Sequence, residues 1–84
     1  MTKSQAKSKI AQILEALESV KDIVENLKLD AEETVGDIEP YEGKDDLTEA
    51  QEERQEWFED LASVLDDVYE SIDDAQNSLE EKLY

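Results

Sequence analysis

The stretch FEDLASVLDDVYESIDDAQNSL, residues 58–79, decides the fold of this chain. Its apolar residues Phe58, Leu61, Leu65, Val68, Ile72, Ala75 and Leu79 are spaced three and four apart. On an α-helix of about 3.6 residues per turn, that spacing gathers them on one face. The carboxylates are equally regular. Adjacent acidic pairs recur every seven residues, at Glu52-Glu53, Glu59-Asp60, Asp66-Asp67, Asp73-Asp74 and Glu80-Glu81. Seven residues is close to two turns, so the pairs stack on a face away from the apolar seam.

Working outward, Thr48 is placed to cap this helix, with Gln51 at its third position, and the periodicity continues to about Leu83. Glu49, Glu52 and Glu53 suit the positive end of the helix dipole, whereas Glu80 and Glu81 sit at the wrong end for it. Upstream lies a connector over residues 36–47, holding Gly36, Pro40 and Gly43, the only Pro and Gly of the chain. Before it, Ala6, Ile10, Ile13, Leu17, Val20, Val24, Leu27 and Ala31 form a second heptad seam, which Thr2 and Gln5 open with a capping-box pattern. Gly36 is the expected stop. Asp30-Ala31-Glu32-Glu33 is itself a capping box, so a break after Lys28 competes with continuity. The unbroken apolar register favours one helix.

The expectation is a single all-α domain over residues 1–84, with helices over about 3–35 and 48–83 folded into an antiparallel, coiled-coil-like hairpin. Leu17 would then lie near Leu65, Val24 near Phe58 and Ile10 near Ile72. Two helices alone make a thin core. Trp57 and Val64 widen the apolar stripe of the second helix on one flank, and Ala62, Tyr69 and Leu83 on the other. Leu14, Ala16 and Ile23 widen the first. Such stripes exceed what one partner helix covers. The expected solution is a homodimeric four-helix bundle using Trp57, Val64, Tyr69, Leu14 and Ile23, and its rival is a hairpin docked on another protein.

The 84 residues include 25 acidic and 8 basic side chains, a net charge of −17, with 38% apolar residues. High charge with low hydrophobicity usually marks disorder, but disordered chains have no reason to keep Leu, Ile and Val in register. Cysteine and histidine are absent. That removes disulfides, thiolate metal sites, Ser-His and Cys-His catalysis and the Glu-x-x-His motif of di-iron bundles. The acids of the connector lack the spacing and central glycine of an EF-hand. The chain reads as a non-enzyme with no cofactor and no metal. It has neither an apolar run of membrane-spanning length nor a signal-peptide core, so a cytoplasmic protein is expected. Its acidity repels nucleic acid and anionic membranes and directs it to partners with basic surfaces.

The charge is concentrated in the second half. Residues 1–28 carry five lysines against four acids, and the rest carries three bases against twenty-one acids. Along the second helix the candidate binding face comprises Glu52, Glu53, Glu56, Glu59, Asp60, Asp66, Asp67, Glu70, Asp73, Asp74, Glu80 and Glu81, all at outward positions, while Arg54 and Lys82 fall on the seam. Exposed helices usually mix signs, because like charges four apart cost a few tenths of a kcal/mol each. With Glu49, the acids average roughly one per 3.7 Å of helix, close to the ~3.4 Å phosphate spacing along one DNA strand. Two functions follow: an inhibitor or nucleic-acid-mimicking decoy for a basic groove, or a structural bundle working through its apolar flank, with the acids only for solubility. Arg54 is expected to pair with Asp30, and Lys7, Lys21 and Lys28 to meet carboxylates across the bundle. Tyr41, beside Pro40, is either a recognition tip or a cover over the helix ends.

The Lys-rich first helix (Lys3 to Lys28), the connector Asp37-Ile38-Glu39-Pro40, the capped start Leu47-Thr48-Glu49-Ala50-Gln51 and the Leu/acid heptads together resemble the small acidic helical-hairpin proteins of Gram-positive prophages and mobile elements. The resemblance implies a bacterial or phage-infected host cell and, for some of that group, DNA mimicry or antagonism of host defence. The secreted helical hairpins named for a Trp-x-Gly turn are a poorer comparison, since the connector lacks that turn and Trp57 lies inside a helix.

Overall fold

Both helices begin where their threonine caps put them. In the computed structural model, which describes all 84 residues, α1 spans Lys3–Asp37 and α2 spans Glu49–Glu81. The Thr2 hydroxyl accepts from the Gln5 backbone N–H at 3.1 Å, and the Gln5 side chain accepts from the Thr2 N–H at 2.8 Å. Thr48 and Gln51 repeat the exchange at 3.2 and 2.9 Å. Each capping box satisfies two backbone donors that a helix start otherwise leaves unpaired.

Continuity wins over a break at Asp30. The helix passes through that residue, and Thr34 Oγ1 donates to its carbonyl at 2.8 Å. Gly36 is not the stop: it lies inside the last turn, and the helix ends through Ile38, an extended residue with φ −77°. The restriction that Pro40 imposes on Glu39 keeps the following backbone extended too. The single positive φ belongs to Gly43, at 82°, in a turn closed by Lys44 N–H donating to the Tyr41 carbonyl at 2.9 Å. Gln51 Nε2 donates to the Glu39 carbonyl at 2.8 Å and ties this connector back onto the start of α2.

The helices pack as an antiparallel hairpin measuring 68 × 17 × 15 Å. Its radius of gyration is 19.5 Å, against about 12 Å for a compact domain of this length. The accessible surface is 6555 Å², where a compact monomer of this mass exposes about 5,100 Å². Only Val24, Ala31, Leu65 and Gln76 are buried.

The helices are rotated by one heptad column from the expected seam. On α1, Ile13, Val20 and Leu27 are exposed, and Leu14, Lys21 and Lys28 take their place beside Leu17, Val24 and Ala31. On α2, Val68 and Ala75 are exposed, and Ala62, Tyr69 and Gln76 join Phe58, Leu65, Ile72 and Leu79. The pairing is offset as well. Lys28 bonds Asp66 and Lys21 bonds Asp73, which sets Val24 beside Tyr69 and not Phe58, and carries Leu17 and Ile10 past Leu65 and Ile72. Two lysines seven apart on α1 meet two aspartates seven apart on α2, and that match cannot form in the purely apolar alignment.

Ala31 is the tightest point of the interface, at 1% exposure. Ala31→Leu should therefore overpack the crossing and cost about 1–3 kcal/mol, read as an earlier urea-unfolding midpoint by circular dichroism. An unchanged midpoint would mean the helices do not pack closely here.

Candidate functional site

One flank of the hairpin is ionic. Lys21 Nζ donates to Asp73 Oδ1 at 2.9 Å and to Gln76 Oε1 at 3.2 Å, and lies 4.8 Å from the centre of the Tyr69 ring. Gln76 Nε2 in turn donates to Glu18 Oε2 at 2.9 Å, so the one buried polar residue has both ends of its amide satisfied. Two turns away, Lys28 Nζ donates to Asp66 Oδ1 at 2.6 Å and approaches Glu32 at 3.9 Å. The lysine stems lie along the seam while their ammonium groups reach the carboxylates, the usual compromise of a long amphipathic side chain. Asp66 and Asp73 remain at least half exposed, and ion pairs in such places add little net stability. Their contribution is register.

This network corrects several of the assignments made from sequence. Asp66 and Asp73 are not free members of an outward stripe, because each is bonded to α1. Leu14 and Tyr69 are half-buried inside the hairpin and do not belong to an outer self-association flank. Arg54 does not pair with Asp30; its guanidinium lies 5.6 Å from the Phe58 ring centre. Lys7 makes no ion pair, unlike Lys21 and Lys28. Gln76 and Glu18 were missed. The available signal was a glutamine that shares the heptad column of Ala62 and Tyr69 on α2.

The other acids of the candidate face, Glu52, Glu53, Glu56, Glu59, Asp60, Asp67, Glu70, Asp74, Glu80 and Glu81, are exposed and bonded to no cation. Despite their density, no three carboxylates converge as a metal site would need. Tyr41 is exposed at the connector, over a shallow cleft shared with Ile38 and Arg54.

The flank opposite the ionic one is apolar. In an antiparallel pair, the flanks joined by ion pairs share one face and the remaining two share the other. That second face carries Ile13, Val20, Ile23 and Leu27 of α1 beside Trp57, Val64 and Val68 of α2, all exposed. Ile23 and Trp57 are 66% and 62% exposed. Trp57 meets Phe58 edge-to-face, with ring centroids 4.9 Å apart. No helix is long and apolar enough to cross a membrane. No known protein family, curated protein or solved structure matches the chain.

The hydrogen bond to Asp73 holds the Lys21 ammonium above its ordinary 10.5; desolvation partly opposes the rise, and the charges of Asp73, Tyr69 and Glu18 add to it. Lys28 is raised in the same way, first by its bond to Asp66. A lysine whose value rises on folding stabilises the fold fully below 10.5 and loses that contribution as pH climbs through the raised value. The thermal midpoint of the native hairpin should therefore fall on the alkaline side of 10.5 more steeply than that of a Lys21→Met, Lys28→Met variant. Parallel curves would show that the two bonds do not persist in solution.

Proposed function

We propose that the chain is a non-enzymatic binding module whose α2 carboxylates engage a basic surface on another protein. The observation that carries this reading is the fate of the charge. Of the thirteen acids of α2, only Asp66 and Asp73 find a cation within the chain. Even Arg54, the one base inside α2, lies over an aromatic ring. The other eleven run along a helix of about 50 Å, roughly one every 4.5 Å, comparable with the ~3.4 Å phosphate spacing of a nucleic-acid strand. A stiff, single-signed rod suits a groove whose Lys and Arg normally track a phosphate backbone. This is the decoy action known for some of the phage proteins the chain resembles. Electrostatic steering would make such association fast and salt-sensitive.

A second reading rests on a separate observation, the exposure of Trp57, Ile23 and their neighbours. There the apolar face makes the functional contact in a structural assembly, and the acids keep it dispersed.

Charge reversal separates the two. Glu52, Glu56, Glu59 and Glu80 each lie about two helical turns or more along α2 from the paired Asp66 and Asp73, and outside the two columns of the apolar face. Changing all four to Lys should leave helicity intact and abolish the capture of basic nucleic-acid-binding proteins from bacterial lysate at low salt, as identified by mass spectrometry. The native chain should release the same proteins at high salt. Capture that survives the reversal, or recovery of the chain alone, would remove the decoy reading.

A further inference from the structure

We infer that the apolar face is covered by a second copy of this chain, with the two connectors at the same end and each α1 lying on the α2 of the other copy. The first argument is the distribution of charge. Two adjacent heptad columns of α2 form its side of the face, one through Arg54, Leu61 and Val68 and one through Trp57, Val64 and Ser71. Neither contains an acid along the whole helix, although thirteen of its 33 residues are acidic. The first column instead holds Arg54 and ends at Lys82, the only bases of this half of the hairpin beyond the connector. The matching α1 columns hold Lys9 and no acid before Asp30. Solubility alone gives no reason to bar acids from one exposed face of a chain with net charge −17. A contact between two such chains does.

The second argument is area. The hairpin exposes 6555 Å², about 1,500 Å² more than a compact monomer of its mass. The face is about 40 Å long by helical rise and as wide as the 17 Å hairpin, or roughly 700 Å². A standard protein interface takes ~800 Å² from each partner. Stacking two such faces gives a four-helix bundle with its charged flanks outside.

Orientation follows from the rim. Along the edge of α2 beside this face run Glu53, Asp60, Asp67, Asp74 and Glu81. Setting α2 on α2 would bring two such rows together. The equivalent edge of α1 carries a single acid, Glu33, and otherwise offers Gln12, Ser19 and Asn26, of which the two amides can donate hydrogen bonds to carboxylates. A two-fold axis along the bundle places each α2 over that edge and puts the two acidic helices on a diagonal. Since α1 carries five bases against eight acids and α2 one base against thirteen, the diagonal also minimises repulsion. Levels within the hairpin then carry over between copies, bringing Lys9 level with the C-terminal end of the second copy and Asp37 level with the turn of its α2 that holds Arg54 and Trp57.

Sedimentation equilibrium at micromolar concentration should give twice the chain mass. Val20→Glu with Val68→Glu should return it to the monomer while keeping helical circular dichroism, since both side chains are already exposed in the hairpin. Ala11→Glu with Ser63→Glu, the same added charge away from the face, should leave the dimer intact. A monomeric native chain, or a dimer indifferent to the Val20 and Val68 changes, overturns the proposal. For orientation, the cysteine-free chain takes one spin label at Lys44→Cys. Connectors at the same end of a two-layer bundle put the labels within about 30 Å, and opposite ends put them near the 68 Å length of the hairpin; the long distance would refute the arrangement. None of these results depends on a basic partner, so this inference and the decoy reading can fail separately.

Discussion

The spacing of Lys21 and Lys28 is the constraint on which the rest of this molecule depends. Each reaches a carboxylate on α2, and both can do so only when the helices are turned one column from the all-apolar seam. The turn draws Leu14, Tyr69 and Gln76 inward and expels Val20, Leu27 and Val68. Two exposed ion pairs contribute modestly to stability. They belong to the alignment in which Val20, Leu27 and Val68 stay exposed, and that alignment divides the surface into an ionic flank and an apolar flank.

Much of this was legible in the sequence, and most of what was missed shares a cause. Helix existence, the two capping boxes and continuity through Asp30 follow from local rules, because Thr2, Gln5, Thr48 and Gln51 act on their own backbone. Rotation and register are relations between helices. The heptad pattern offered two flanks on each helix, and hydrophobicity favoured the one with Ile13 and Val20 over the one with Leu14 and Lys21. A lysine at a seam position reads as a misfit until its partner's register is known. Gly36 failed for a different reason. A glycine near a helix end permits a left-handed cap without requiring one, and here Ile38 and Pro40 take the chain out in an extended conformation. Of the candidate site, the acidic character of α2 was evident; that Asp66 and Asp73 are already engaged was not.

The two flanks also explain how so acidic a chain tolerates its own charge. Repulsion between carboxylates grows as they approach and is screened over about 10 Å at moderate salt. An elongated hairpin spreads the acids of α2 along one edge, and α1, with most of the lysines, sits next to them. The self-repulsion that makes the helix an improbable isolated structure gives the assembled surface a potential of one sign over its whole length.

Trp57 is the only tryptophan of the chain, and it stands on the apolar flank with most of its ring in water. An indole in water emits at longer wavelength than one held against hydrocarbon. The native chain thus carries an optical gauge of whether that flank is wet or dry. Its reading is undiluted by any second indole and needs no added dye.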